Sequence, residues 1–518
     1  MTASLSASTP APEGARSRAA LVQLVRPRRA WAIALAPTIA PALVGAIFGG
    51  GGTRFEVAFG VLVLALFGYI WALRARPVLL VVGLLIWLSL ERLVVAILSP
   101  GLDSTTFTWL LAYKELFFPF VFIVGLPRAS RVWQESPPIV RFVDVAAIGF
   151  GVAIVLAIAL SGAPLDNRIT YARRFAELPL VYLAARLLPI RMPEVRAIAI
   201  AIVAVAVPVA IFGYLELTVL ESVVWRTLAP AARYYELSVQ SGLAAYSAQI
   251  HLYKSLPLNF YVFGFGDPFR RLVSTYLEAT TLAMYLGLGG VLALAMWPRK
   301  WLTYLVAAIL AGATVLTLGK AGVLVFAVAG GYSLLARLRG ELRRPSTVVL
   351  IAGVSAVVVL LGSGVLYVFG VWAGALAHVR GLQEGLDSVA SAPLGYGLGY
   401  GGDFGVGQTG AESTLGVMLV QIGVQGSAIW VAWMVGLALA CAYAARHSRA
   451  GFLCLVMSVT TFAFLVTALF TESAGGLLGN WPYALLPALL LGASYAGGSA
   501  GTTDLPAAIA VPVDLDAG

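Results

Sequence analysis

Long apolar runs separated by short polar turns fill most of the chain between residues 30 and 497. Runs near the ~20 residues that cross a bilayer fall at 30–50, 55–73, 78–98, 108–126, 144–162, 175–190, 196–216, 277–297, 301–317, 321–337, 347–371, 413–442, 452–471 and 475–497. The sixth, ninth and tenth are short, and the ninth and tenth, which meet around Thr317 to Gly322, also read as one long helix. The pattern therefore predicts an all-α, polytopic transmembrane bundle of about 12–14 helices. Two interruptions are longer than turns, at about 217–275 and 372–412. The first holds the half-apolar, aromatic run from Leu252 to Phe265, which suits either a membrane surface or loop packing.

The second interruption has its own pattern. Leu382, Leu386 and Val389 recur at helical spacing, with Arg380, Gln383, Glu384 and Asp387 on the other side, so an amphipathic helix is expected that ends before Pro393. Gly395, Gly397, Gly399, Gly401, Gly402, Gly405, Gly407 and Gly410 follow, and backbone N–H groups in such a run can approach an oxyanion without side-chain obstruction. Glu412 then stands where the next apolar helix begins. A carboxylate there suits a general base at a water–membrane boundary; equally, Glu412 and Ser413 complement the dipole of that helix. The run contains no GxxxxGK[ST] motif.

Composition agrees with the pattern. The 518 residues are 60% hydrophobic and only 11% charged, which excludes a soluble globular protein. Cys441 and Cys454 lie in or beside apolar runs, and His251, His378 and His447 are scattered, so neither a disulfide framework nor a metal or cofactor site is expected. The formal charge of +10 sits in short inter-helix loops, which does not fit a nucleic-acid surface. Residues 1–28 read as a disordered cytoplasmic leader, 29–498 as the transmembrane domain and 499–518 as a disordered cytoplasmic tail.

With both termini in the cytoplasm, 21 of the 34 Lys and Arg residues fall inside and 11 outside, while Arg92 and Lys114 lie within helices. The outward set includes Arg168, Arg173, Arg174, Arg226, Arg233, Lys254, Arg270, Arg271, Lys320 and Arg380, a positive face that invites an anion. The adjacent charges Glu91 and Arg92, and Lys114 and Glu115, are costly in a bilayer unless paired, and read as bridges between helices more readily than as a polar pathway. Glu278 lies near Arg270 and Arg271 in sequence, where it can orient them.

Three outward segments resemble one family. Residues 270–286, RRLVSTYLEATTLAMYL, are similar to the Arg-led start of the helix after the large loop in the O-antigen ligase and polymerase superfamily. Residues 316–330, LTLGKAGVLVFAVAG, resemble its T-x-S-R turn, with Lys320 in place of Arg and Gly319 in place of Ser. Arg380 through Pro393, Gly395 and Gly397 to Glu412 and Gly423 resembles its second large loop and following helix. The resemblance covers roughly residues 270–440.

It implies a metal-independent, inverting GT-C-type glycosyltransferase in the cytoplasmic (inner) membrane, without a cofactor. The donor would be an oligosaccharide on polyprenyl diphosphate and the acceptor a glycan hydroxyl. By the same resemblance Arg271, or its neighbour Arg270, together with Lys320 and Arg380 grips the diphosphate, Glu412 is the base and Glu278 supports them. An acidic residue at 412, where ligases acting on a lipid core carry His, implies a polymerase-like member. A lipid-linked oligosaccharide flippase or other transporter, and a protein O-oligosaccharyltransferase, are the competing expectations.

Overall fold

The structure, a computed structural model, describes residues 28–220, 223–241, 252–253, 256–262, 268–296, 301–343, 346–347, 373–402, 406, 413–446, 451–469, 471 and 479–495. In chain order the helices are α1 (Arg28–Phe48), α2 (Thr53–Leu73), α3 (Pro77–Leu98), α4 (Ser104–Ala112), α5 (Phe117–Gly125), α6 (Ala129–Glu135), α7 (Pro138–Leu160), α8 (Leu165–Arg186) and α9 (Met192–Thr218). They continue as α10 (Ala231–Gln240), α11 (Ala279–Met296), α12 (Trp301–Leu316), α13 (Lys320–Val325), α14 (Gly331–Leu338), α15 (Ala373–Ser391), α16 (Thr414–Ala444), α17 (Gly451–Thr467) and α18 (Trp481–Tyr495). Four two-residue strands, β1 (Leu252–Tyr253), β2 (Leu256–Pro257), β3 (Tyr261–Val262) and β4 (Phe269–Arg270), pair as the antiparallel ribbons β1–β2 and β3–β4.

Among the described residues eight helical stretches are long and apolar enough to cross a membrane, and Ala32–Phe48, Trp301–Leu316 and Gly451–Thr467 are shorter apolar helices. The chain is thus an all-α, multi-pass membrane protein. Every expected span carries helix except 347–371, which lies outside the described residues, as do 1–27 and 499–518. Two spans differ in form. The one expected at 108–126 belongs to a broken run, Ser104–Glu135, in which 3-10 turns at Tyr113–Leu116 and Leu126–Arg128 separate α4, α5 and α6. Helix α8 begins at Leu165, ten residues before the apolar run, because its charged first half has a partner: Arg173 makes a two-pronged ion pair with Glu115.

Helix α11 is the centre of the bundle, buried along nearly its whole length. Close packing fixes what lies on it. A Cβ at Gly322 would come 2.2 Å from the Ala283 carbonyl oxygen, so only glycine lets α13 lie this near α11. By contrast α2 and α7 expose large apolar side chains such as Leu64 and Leu160, the surface a bilayer covers.

The expected amphipathic helix is present as α15, but its packed face is not the leucine face. Gly381, Gly385 and Ser388 are buried while Leu386 is exposed. A Cβ on Gly385 would meet the Gly416 Cα at 2.6 Å, so small residues bring the α15 and α16 backbones together.

The glycine run also differs from expectation. Helix α16 is broken at Gly423, whose φ of 67° and ψ of −171° are non-helical. The freed groups pair with the loop: Tyr396 N donates to Val420 O (2.8 Å), Gly397 N to Gln421 O (3.1 Å) and Val424 N to Pro393 O (3.0 Å). Leu398 N donates to Ala157 O (3.1 Å), Gly399 N to the Gln421 side chain (3.4 Å) and Gly401 N to Val406 O (3.0 Å). These amides are spent inside the protein, so this part of the loop is a packing seat for a broken helix and not an open anion cradle.

The aromatic run after Leu252 is loop packing over its described core. Leu256, Phe260 and Tyr261 are buried in a second apolar cluster with Trp225 and Tyr235, although Leu252 at one edge is exposed.

Candidate functional site

Of the two neighbouring arginines expected here, Arg270 is tied into the preceding loop and Arg271 to the end of α12. In the β3–β4 ribbon Arg270 pairs with Tyr261, and its guanidinium lies 4.6 Å from the centre of the Phe260 ring. Its Nη1 donates to Phe260 O (3.2 Å) and to Arg271 O (2.8 Å), and its Nη2 lies 3.7 Å from Glu216 Oε2. Arg270 is therefore built into the loop.

Arg271 is tied elsewhere. Its backbone N donates to Phe260 O (2.8 Å) and its Nε to Thr317 O (2.8 Å), while Leu272 N donates to Leu316 O (3.0 Å). These bonds satisfy carbonyls at the end of α12, which an isolated helix leaves without partners. Among the described residues neither terminal nitrogen of Arg271 has a hydrogen-bond partner. Burial pushes the guanidinium pKa down, against the opposing pull of Glu278 and Tyr235. An arginine stays charged even so, and a half-desolvated cation with free donors has a strong unmet demand for an anion.

The corner carrying Arg271 is held from several sides. Glu216, buried in the last turn of α9, accepts from Val273 N (3.0 Å) and from the Trp225 indole. Ser274 donates to Val209 O (2.6 Å), and Tyr235 donates to Leu277 O. Ser274 and Leu277 have φ of 47° and 52°, a conformation that costs a non-glycine residue about 1–3 kcal/mol and persists only where neighbours enforce it. Neither Glu216 nor this strain shows as a motif; the one sequence signal is an acid at the end of an apolar helix.

Glu278 does not orient Arg270 or Arg271 through a direct bond, as expected from sequence proximity. It pairs with Arg92 of α3, whose Nη1 reaches Glu278 Oε2 at 2.6 Å and Tyr276 O at 3.1 Å. Thr280 donates to Glu278 Oε1 (3.1 Å). Burial by itself would raise the Glu278 pKa; the Arg92 charge, with hydrogen bonds from Arg92, Thr281 and Thr280, more than cancels this and holds the carboxyl below its usual value. Distance in sequence hid the partnership.

Lys320 opens α13 beside this corner. Leu318 has φ of 53°, Gly319 N donates to Thr317 Oγ1 (3.0 Å), and a Cβ on Gly319 would lie 3.4 Å from the Ala279 carbonyl. Arg271, Lys320 and Glu278 thus gather at the N-terminal end of α11. Arg380 stands exposed on α15. Glu412 lies outside the described residues; the cap of α16 is Ser413, whose Oγ accepts from Gly416 N (3.1 Å).

The helix charges form crossed pairs. Glu91 takes Lys114 (2.8 Å), Arg92 takes Glu278, and Glu115 takes Arg173. The pairs thus tie α3 to the turn at Tyr113–Leu116 and to α8. No protein-family model matches the chain, and no curated protein matches it.

Proposed function

We propose that the protein is a membrane glycosyltransferase that takes a glycan from a polyprenyl-diphosphate donor and transfers it to a glycan hydroxyl at the outer face of the cytoplasmic membrane. The observation that carries this is Arg271: it is anchored through Nε to Thr317 O, and among the described residues its terminal nitrogens have no hydrogen-bond partner. A fixed fork of this kind matches phosphate oxygens, and charge building on a leaving diphosphate favours cations already in place. Lys320 adds a point charge from the start of α13. In this reading Arg380 and Glu412 come from the second large loop, Glu412 removing the acceptor proton as the hydroxyl oxygen bonds to the anomeric carbon and the diphosphate departs. The acidic residue at 412 favours a polymerase-like member of the O-antigen ligase and polymerase superfamily.

The test is glycan chain length made from a lipid-linked oligosaccharide donor by purified protein in liposomes. Arg271→Ala and Glu412→Gln are each expected to cut elongation by at least ~100-fold, the scale of a lost electrostatic or acid–base contribution. Unchanged polymer from both variants overturns the assignment. A transporter reading draws on the ion pairs inside the bundle and the broken helix α16, features shared with carriers. Translocation of the lipid-linked glycan without elongation in the same liposomes would favour it.

A further inference from the structure

We infer that Arg92, a half-buried residue of α3 in the first half of the chain, is a diphosphate-binding residue of the same site; this rests on the function proposed above. Arg92 reaches the Arg271 corner from below: it lies six residues before the end of α3, about 9 Å along the helix at 1.5 Å per residue. Its Nη1 makes both of its hydrogen bonds, to Glu278 Oε2 and to Tyr276 O, and among the described residues its Nη2 and Nε have no hydrogen-bond partner. Its side chain is 23% exposed, so the open nitrogens are not sealed in the core.

Cations outnumber carboxylates around this corner. Glu91 is bonded to Lys114 and also feels the Arg92 charge. Glu278 is bonded to Arg92 and acts electrostatically on Arg271. Among the described residues Glu91 and Glu278 thus share three cations, Lys114, Arg92 and Arg271. A diphosphate esterified at both ends carries two negative charges, spread over two phosphoryl groups that two forks can hold at once. Glu278 then has a second effect: by fixing Arg92 Nη1 it aims the remaining nitrogens, so little side-chain freedom is lost on binding.

Binding of inorganic pyrophosphate to the detergent-solubilised full chain tests this, by calorimetric titration at constant ionic strength with Arg141→Gln as a control far from the corner. The expected result is that wild type and the control bind alike, while Arg92→Gln, Arg271→Ala and the double variant Arg92→Gln/Glu278→Gln each bind about tenfold more weakly. Recovery of affinity in the double variant would mean that Arg92 only balances Glu278, and the inference falls. Wild-type affinity in Arg92→Gln alongside weak binding by Arg271→Ala overturns the inference and leaves the proposed function standing. Absence of binding to wild type overturns both. If Arg92→Gln does not fold, Arg92→Lys keeps the charge but not the second nitrogen; a several-fold loss supports the assignment and unchanged affinity defeats it.

Discussion

Glu91 has one carboxylate oxygen 2.8 Å from Lys114 Nζ, while the other, Oε2, is buried and has no hydrogen-bond partner among the described residues. Removing one partner of such a pair strands the other in the bundle, a loss of about 3–5 kcal/mol, whereas replacing both by apolar side chains of similar size is nearly neutral. Glu91→Ala is therefore expected to lower the unfolding temperature in detergent sharply, and Glu91→Met/Lys114→Met to recover most of it. Arg131→Ala breaks only an exposed pair with Glu135 and should leave the unfolding temperature unchanged, because water screens such a pair. The Glu278–Arg92 pair predicts a pH effect. The folded-state pKa of Glu278 is depressed, so its contribution is present above the unfolded value of about 4.3 and is lost as pH falls through the lower folded value. Thermal stability followed below pH 5 should fall less steeply in Glu278→Gln than in wild type; equal slopes would refute the coupling. Arg92, Lys114 and their acids were legible in the sequence as charges needing partners, but not as these pairs, because Arg92 and Glu278 are 186 residues apart.

At the scale of elements, the break in α16 and the glycine loop make one unit. Gly423 holds a left-handed φ, and a Cβ there would lie 2.3 Å from the Leu394 carbonyl carbon. Gly423→Ala therefore meets both backbone strain and the docked loop, and should cost at least ~2 kcal/mol in thermal or denaturant unfolding. Stability within 0.5 kcal/mol of wild type, taken as about the spread of neutral surface changes, would mean that the loop is not seated as described. A hydrophobicity pattern gives no sign of this break, since the apolar run continues through residues 420–424 on both sides. Helix α15 gives the complementary case: its extent followed from periodicity and Pro393, but its contact face did not. Leucines mark the buried side of a helix in water, whereas between membrane helices small residues allow the closest approach.

For the whole molecule, the excess of Lys and Arg in one set of loops predicts which end faces the cytoplasm. Both native cysteines are buried, so introduced thiols can be read against a low background. A membrane-impermeant maleimide applied to intact cells should label Arg380→Cys, at an exposed position of α15, and should label Arg141→Cys, beside α6, only after permeabilisation. The reverse pattern would invert the orientation and place the Arg271 corner on the cytoplasmic side, where an outward glycosyl transfer cannot occur.

Run length and composition alone determined that the chain crosses a membrane many times, because a bilayer demands long uninterrupted apolar helices whatever their order in space. They also marked Arg271, Lys320 and Glu278 as charges near the ends of spans. Only the tertiary structure decided that α11 is central while α2 is peripheral, since apolar side chains satisfy lipid and protein neighbours equally. It also decided that Arg270 meets Phe260 and Glu216, that Arg271 Nε meets Thr317 O, and that Arg92 meets Glu278. Those choices depend on which carbonyls and carboxylates packing brings within about 3 Å, a distance no pattern along one chain encodes.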